Sequence, residues 1–584
     1  MKSSRTPKGK VAKRTGTQSK KSGPVVSLQS SEMQPLVFLG LIVVVFLCFA
    51  NSLGNDFVFD DIYLVVHNKF IRNVDLSIIL GTYRPLRDLS YALDLRIWGE
   101  GPFGFHLTNI IVHSANVLLV FTLIRRLSND VVSAIFAALI FAVHPMQTDA
   151  VTYISGRRDL LFSFFYLLAF HTYISYYRSR KSVRAAAYFA LFLILWGLSL
   201  ISKEMAASLP IVIFVWQYCE AWEQGPSWWR QVTTTAWRTF TRDKWFWLLL
   251  FFGGLLFTVY WVFVKQASRK ARWGEIDYWG GSLLNNFLTV TRVHAWFLKQ
   301  LVFPTPIAQY LGAFEPSQTI FDWSFAISLV VVAGVLVCGF LLLNRDKLMA
   351  FAIFSYFVIL LPVSQIIPHH ELLADHYLYL PLMSFGLFVA LLVRRINRFS
   401  RVAGKVAYGV AGVGIVILAV MTVMHNRTWK NERTLWAANY KAVPNSPRAA
   451  MNLGNTYQET DLDKAAEYYK RALGLNPTPE IKRSLHDRLA VILMHQKRFD
   501  EAEFFISEVL SRAPSDFFGN LWASQIHTAT KKCVRAGEEL ALAESVAATP
   551  REQTLAQERR QEWEQLCKPA PQKDPDANGS SPVK

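Results

Sequence analysis

The chain has 584 residues, of which 52% are hydrophobic, 14% aromatic and only 18% charged, and its mean hydropathy is +0.22. Soluble globular chains carry about 25% charged residues, so this composition excludes both a simple cytosolic enzyme and intrinsic disorder and marks a polytopic membrane protein. The net charge of +19 does not imply a nucleic-acid partner, because the basic clusters flank apolar segments rather than sit on a recognised nucleic-acid-binding framework.

The chain begins with a basic tail, residues 1–34, holding Lys2, Arg5, Lys8, Lys10, Lys13, Arg14, Lys20 and Lys21. Basic flanks of apolar segments are topological signals and place this tail in the cytoplasm. Apolar segments long enough to cross a bilayer as helices need about 20 residues. Candidates lie near 35–52, 107–127, 131–148, 159–177, 186–202, 205–222, 245–266, 323–343, 348–366, 377–393 and 404–424, eleven in all. The first reads as an uncleaved signal-anchor, since its apolar run is too long for a signal-peptide core and no A-x-A-like site follows.

The Lys/Arg-rich loops at Arg125/Arg126, Arg178–Arg184, Arg230–Lys244, Arg345/Lys347 and Arg394–Arg401 are expected on the cytoplasmic side. That parity holds only if Leu283–Phe303, which carries Asn285, Asn286, Arg292, His294 and Lys299, is not a full span. It is expected to be re-entrant or interfacial on the outer face. A membrane domain over 35–425 with an outer loop at 53–106 then leaves residues 426–567 outside the cytoplasm.

Those residues read as a helical repeat domain. Leu453-Gly454, Tyr457, Ala465, Tyr469, Ala472 and Pro477 fall close to tetratricopeptide spacing, and Leu489-Ala490, Ala502, Val509 and Pro514 give a second unit offset by 37 residues. Phe517–Gln565 is expected to add packing helices, and 568–584 is expected to be a disordered tail. Cys48, Cys219 and Cys338 lie in apolar segments, while Cys533 and Cys567 are compatible with a bridge that spacing alone does not decide.

Several groups capable of chemistry collect on the outer side of this topology. Asp60-Asp61 follows the first span, where a carboxylate can act as a base at the membrane surface, and Tyr83-Arg84-Pro85-Leu86 supplies a guanidinium for a phosphate. His106, Asn109, His113 and Asn116 form a polar stripe on the second span, facing either a watery cavity or neighbouring helices. His106 and His113 are about 10 Å apart along a helix, too far to share a metal. At other span ends lie His144, Asp149, Arg157, Arg158, Asp159, Lys203, Glu204, Asp375, His376, Tyr377 and Tyr379. Arg157 and Arg158 break the positive-inside pattern, as do Lys265, Arg269, Lys270 and Arg272, which a bound anion or snorkelling toward headgroups would explain.

The motifs FVFDD (57–61), YRPL (83–86), FGFHLTNIIVH (103–113), FAVHPMQTDAVTYISGRRDLL (141–161), LSLISKE (198–204), HYLYLP (376–381) and NRTWKNERTLW (426–436), followed by repeat units, resemble the TMTC family of transmembrane and tetratricopeptide-repeat proteins and its bacterial relatives. The resemblance implies an all-α C-type glycosyltransferase, similar in its membrane half to protein O-mannosyltransferases. Its donor would be a polyprenyl-phosphate sugar, dolichyl phosphate mannose in eukaryotes. Asp60 and Asp61 match the paired acidic motif of such enzymes, which is usually Asp-Glu. His376 stands where the family leads one to expect Arg, and the repeats are fewer than in the animal proteins; both departures fit a bacterial member.

The expected activity is transfer of mannose or a similar hexose from a polyprenyl-phosphate donor to a hydroxyl, that of protein Ser/Thr, on the non-cytoplasmic face. Asp60 and Asp61 are the catalytic candidates, with Arg84, Arg157, Arg158 and Lys203 on the donor phosphate. Tyr83, His106, Asn109, His113, His144, Asp149, Asp159, Glu204, His376, Tyr377 and Tyr379 are expected to line the site. Neither a metal nor a cofactor beyond the lipid-linked sugar is expected, and the repeats would present the protein acceptor. The location is the cell or inner membrane of a bacterium, or the endoplasmic reticulum membrane of a eukaryote. The competing readings are a non-catalytic membrane-anchored scaffold and a lipid or sugar transporter; the broken spans and inverted repeats of a transporter are not evident.

Overall fold

The computed structural model describes residues 33–567, apart from 74–78, 80–81, 181, 224–226, 245, 249, 251–253, 255–276, 306–313, 367 and 369–370. The basic tail, most of the expected span at 245–266, Lys265–Arg272 and the tail 568–584 therefore lie outside the described residues. The described residues are helical, with no strand among them.

The membrane half contains α1 (Gln34–Phe49), α2 (Pro85–Trp98), α3 (Pro102–Ser128), α4 (Val131–Val143), α5 (Arg157–Arg178), α6 (Arg184–Ser202), α7 (Leu209–Ala221), α8 (Trp228–Arg242), α9 (Leu283–Val302), α10 (Trp323–Leu343), α11 (Lys347–Leu360), α12 (Pro381–Phe399) and α13 (Arg401–Asn426). Among the described residues, six helical segments are long and apolar enough to cross a membrane: 34–52, 102–128, 154–178, 184–202, 323–343 and 401–429. Very little of α10 and α13 is covered by protein; Val330, Val410 and Val416 point outward. Helices apolar on all sides and left uncovered need lipid around them, so the chain is a multi-pass membrane protein.

Helix ends follow local chemistry. Asp130 caps α4 by accepting from the Ser133 amide at 3.2 Å. Residues 131–148, read above as one span, are broken: α4 stops at Val143 because Pro145 has no N–H to extend the ladder, and Pro145–Val151 leaves at 55°. The bend turns His144–Ser155 across the end of the bundle. Gly156 makes that turn feasible, since a Cβ there would lie 2.5 Å from the Ala150 carbonyl oxygen and 2.6 Å from that of Asp149. Gly386 plays a similar part inside the bundle, where a Cβ would stand 2.8 Å from the Ala137 carbonyl oxygen and hold α12 away from α4.

The segment expected to be re-entrant or interfacial is one unbroken amphipathic helix, α9. Asn286 near its start donates to the Gln365 carbonyl beyond α11 at 3.0 Å, and the Leu301 carbonyl near its end bonds His144 at 3.2 Å. Both of its ends thus rest on helix ends of the same face.

Beyond α13, the 3₁₀ turn Arg427–Trp429 leads into α14 (Glu432–Ala442). Three helical hairpins follow: α15 (Pro447–Asn455) with α16 (Leu462–Leu473), α17 (Pro479–His495) with α18 (Phe499–Arg512), and α19 (Phe517–Ala529) with α20 (Cys533–Val546). The last helix, α21 (Pro550–Cys567), is tied back by a Cys533–Cys567 disulfide with Cα atoms 5.4 Å apart, which settles the pairing that the sequence left open.

A buried ionic knot joins the second and third hairpins. The buried His527 is bonded by Nδ1 to Glu539 at 2.6 Å and by Nε2 to Glu503 at 3.1 Å, with Lys532 and Arg535 also facing Glu503. Burial alone would lower the His527 pKa, but the two carboxylates outweigh it and raise the group above its usual 6.5. A raised folded-state value stabilises fully below pH 6.5 and is lost as pH rises through that raised value. The thermal stability of the full chain is expected to fall over that window, by about 1.5–3 kcal/mol, the scale of a charged hydrogen bond. His527→Gln should flatten this dependence, and equal pH profiles for the two proteins would refute the assignment.

Candidate active site

The acidic motif lies on a sharp turn between α1 and the π-helical segment Ile62–Val66. Asp61 is fully buried and committed to this turn. Its Oδ1 accepts from the Ser155 amide at 2.9 Å and the Ser155 hydroxyl at 2.5 Å, and its Oδ2 accepts from the Val58 amide at 3.2 Å. Burial is the dominant influence on Asp61 and lifts its carboxyl to about 7, against those hydrogen bonds. That value suits a general base, but reach to the substrate takes precedence over pKa, and both oxygens of Asp61 are already engaged.

Asp60 is the complementary case. It is half-buried, its amide donates to the Tyr153 hydroxyl at 3.2 Å, and no described residue hydrogen-bonds its carboxylate. One carboxylate therefore builds the turn while the other is available to a ligand.

Around Asp60 lies a belt of paired charges. Arg158 lies within electrostatic reach of Asp60, Asp159 and Glu371. Its Nε donates to Asp159 at 3.3 Å and its terminal nitrogen contacts His376 Nε2 at 3.3 Å. His376 Nδ1 meets Asp149 at 2.9 Å. Lys203 bonds Asp159 at 2.5 Å and lies over the Tyr377 ring at 5.2 Å, while Tyr377 donates to Glu371 at 3.3 Å. Arg84 lies against the Tyr83 ring, reaches Glu204 at only 3.4 Å, and has a buried Nε without a hydrogen-bond partner. Such a poorly closed cation is suited to an incoming anion. Asp60, Asp61, Tyr83, Arg84, Asp149, Arg158, Asp159, Lys203, Glu204, His376 and Tyr377 thus occupy one linked region at one end of the bundle.

The remaining candidates belong to packing. Arg157 is wholly buried; it pairs with Asp94 at 2.8 Å, donates to the Phe105 carbonyl at 2.8 Å, and is bonded to Asn109 and Ser90. It joins α2, α3 and α5 rather than presenting a free fork. His113 and Asn116 converge on the Tyr379 hydroxyl at 2.8 and 3.0 Å, His106 meets the Asn55 carbonyl at 3.2 Å, and His144 binds α9. The polar stripe of α3 is therefore spent on hydrogen bonds to neighbouring helices and loops of the packed bundle. Sequence reasoning did not single out Ser155, Tyr153, Glu371 or Glu432. Tyr153 and Ser155 lie inside the quoted TYISGRRDLL run, but nothing in their spacing indicates that they face residues 58–61. Among the described residues, no group of three His, Cys, Asp or Glu side chains is placed to hold a metal ion.

Comparison with known proteins adds two findings. A tetratricopeptide-repeat family profile matches residues 447–479, the first hairpin. The chain is 24% identical over 472 residues to the Caenorhabditis elegans protein O-mannosyl-transferase F38B6.6, covering 76% of this chain and 63% of that protein. It is 25% identical over 537 residues to human protein O-mannosyl-transferase TMTC3, covering 83% and 56%. Mouse protein O-mannosyl-transferase TMTC1 is 35% identical over 151 residues, covering 23% and 16%. The chain thus spans 63% and 56% of the lengths of the first two relatives. No solved structure matches. With the acidic turn, the belt of paired charges and the repeat domain in one chain, its homologues are the TMTC protein O-mannosyl-transferases.

Proposed function

We propose that the protein is a membrane glycosyltransferase that moves mannose or a similar hexose from a polyprenyl-phosphate donor to a Ser/Thr hydroxyl of a protein. The observation that carries this reading is the division of labour at Asp60-Asp61, one carboxylate fixed in the turn and the other open within electrostatic reach of Arg158. Asp60 takes the proton of the attacking hydroxyl as its oxygen bonds C1 of the sugar. The bond from C1 to the phosphate oxygen breaks in the same displacement, and the lipid phosphate leaves as an anion that the guanidiniums stabilise. Of the four cations expected at the phosphate, Arg84 and Arg158 fit best; Lys203 is held by Asp159, and Arg157 is structural.

The disulfide supports placing this chemistry on the non-cytoplasmic face. Such bonds persist in oxidising compartments, and the domain that contains Cys533–Cys567 begins at the segment packed against the acidic turn, where the Asp56 amide donates to the Lys430 carbonyl at 2.9 Å. The turn and the repeat domain therefore share a side. The repeats supply a concave surface suited to an acceptor polypeptide.

Purified protein incubated with labelled polyprenyl-phosphate sugars and a Ser/Thr peptide is expected to move label to the peptide, and failure with every donor would overturn the reading. Arg84→Lys and Arg158→Lys should each weaken donor-lipid binding roughly tenfold although the charge is kept, because a point charge replaces a two-pronged donor. Unchanged donor binding in both would place the phosphate elsewhere.

A further inference from the structure

We infer that Glu432, the first residue of α14, is a positioning residue for Asp60, so that the C-terminal domain is part of the catalytic site rather than only a carrier of acceptor. The inference rests on the function proposed above.

Phe59, immediately before Asp60, adopts φ +52°, a left-handed conformation that a non-glycine residue keeps only when its surroundings enforce it. Glu432 supplies that enforcement. Its Oε1 accepts from the Phe59 amide at 2.5 Å and its Oε2 accepts from Trp436 Nε1 at 2.5 Å. The Phe59 ring lies edge-on to Trp436 at 5.5 Å. On the other side of the same peptide run, the Asp60 amide donates to the Tyr153 hydroxyl, and the Tyr153 ring is stacked on Trp429 at 4.8 Å. Both grips on the backbone around Asp60 thus trace to residues 429–436, at the root of the C-terminal domain.

A base on a loop is less well placed than one on a helix unless a supporting layer fixes it. Asp61 fixes one flank of the turn through Ser155 and Val58, whereas the direction of Asp60 depends on the left-handed Phe59 and hence on Glu432. A charge-assisted hydrogen bond to a backbone amide is a strong anchor. Trp436 keeps the carboxylate oriented, because Glu432 then has one oxygen for each donor.

The test uses the full-length protein in lipid nanodiscs, with Glu432→Ala, Glu432→Gln and Trp436→Phe. Glu432→Ala is expected to lower kcat roughly ten- to hundredfold, the scale of a misplaced catalytic group, with donor-lipid Kd unchanged. Glu432→Gln, which can accept only one of the two bonds, should fall between it and the parent, and so should Trp436→Phe. Hydrogen exchange of the amides in 56–61 should quicken in Glu432→Ala while exchange in α16–α20 stays the same. Unchanged kcat despite faster exchange would overturn the positioning role, and unchanged exchange would overturn the clamp itself. If the parent protein transfers no sugar, the proposed function fails, and with it the positioning role of Glu432, while the exchange measurement still decides whether the clamp exists.

Discussion

Asp60→Asn is expected to lower turnover by roughly 10²–10⁴, the usual contribution of a general base, with donor affinity nearly kept. Asparagine preserves the volume and one acceptor oxygen but cannot take a proton from the attacking hydroxyl. Because no described residue hydrogen-bonds the Asp60 carboxylate, the substitution should leave the turn intact, and the loss should appear in kcat rather than in KM. Asp61→Asn should also impair transfer, by a different route: an amide nitrogen would face either the Val58 amide or the Ser155 donors, and the turn would loosen. Steady-state kinetics of both variants and the double variant would separate these routes. Unchanged turnover in all three would eliminate the carboxylate mechanism and favour a scaffold.

Arg157→Ala should show the largest loss of stability. It strands Asp94 in the interior together with the Phe105 carbonyl and the Asn109 side-chain oxygen. Removing one partner of a buried ion pair costs about 3–5 kcal/mol, since the remaining charge stays buried and unpaired. Thermal unfolding in detergent should register this, and Asp94→Asn introduced into Arg157→Ala should recover part of the loss. A loss under about 1 kcal/mol, the scale of an exposed pair, would show that Arg157 does not lock α2, α3 and α5 together. Its neighbour Arg158 should instead affect donor binding with little change in stability.

That contrast shows where sequence reasoning stops. Arg157 and Arg158 are adjacent and chemically identical, yet on a helix of 3.6 residues per turn they point about 100° apart. One faces the packed interior and the other faces the acidic turn. Nothing in the string RRD indicates which is which, because the answer depends on where α2 and α3 lie. The polar stripe of α3 shows the same limit: the spacing of His106, Asn109 and His113 established a shared face but not whether that face met water or Tyr379. Local features were more legible. The repeat hairpins could be read because small residues at close helix contacts recur along the chain, as at Gly454, where a Cβ would lie 2.6 Å from the Tyr469 ring. Pro145 carried enough information to predict the break in α4, but the long apolar run around it reads as one span.

The junction between α13 and the C-terminal domain has a mechanical consequence. α13 ends at Asn426, a single 3₁₀ turn follows, and α14 begins at Glu432, leaving only Lys430 and Asn431 between helical segments. A flexible linker would give the domain a spread of reaches that widens with linker length. Here the junction is short and is pinned to the acidic turn, by the Asp56 amide on the Lys430 carbonyl and the Phe59 amide on Glu432. The first residues of the C-terminal domain are thus held at one fixed place against the turn that carries Asp60, and the junction serves as a brace rather than a tether.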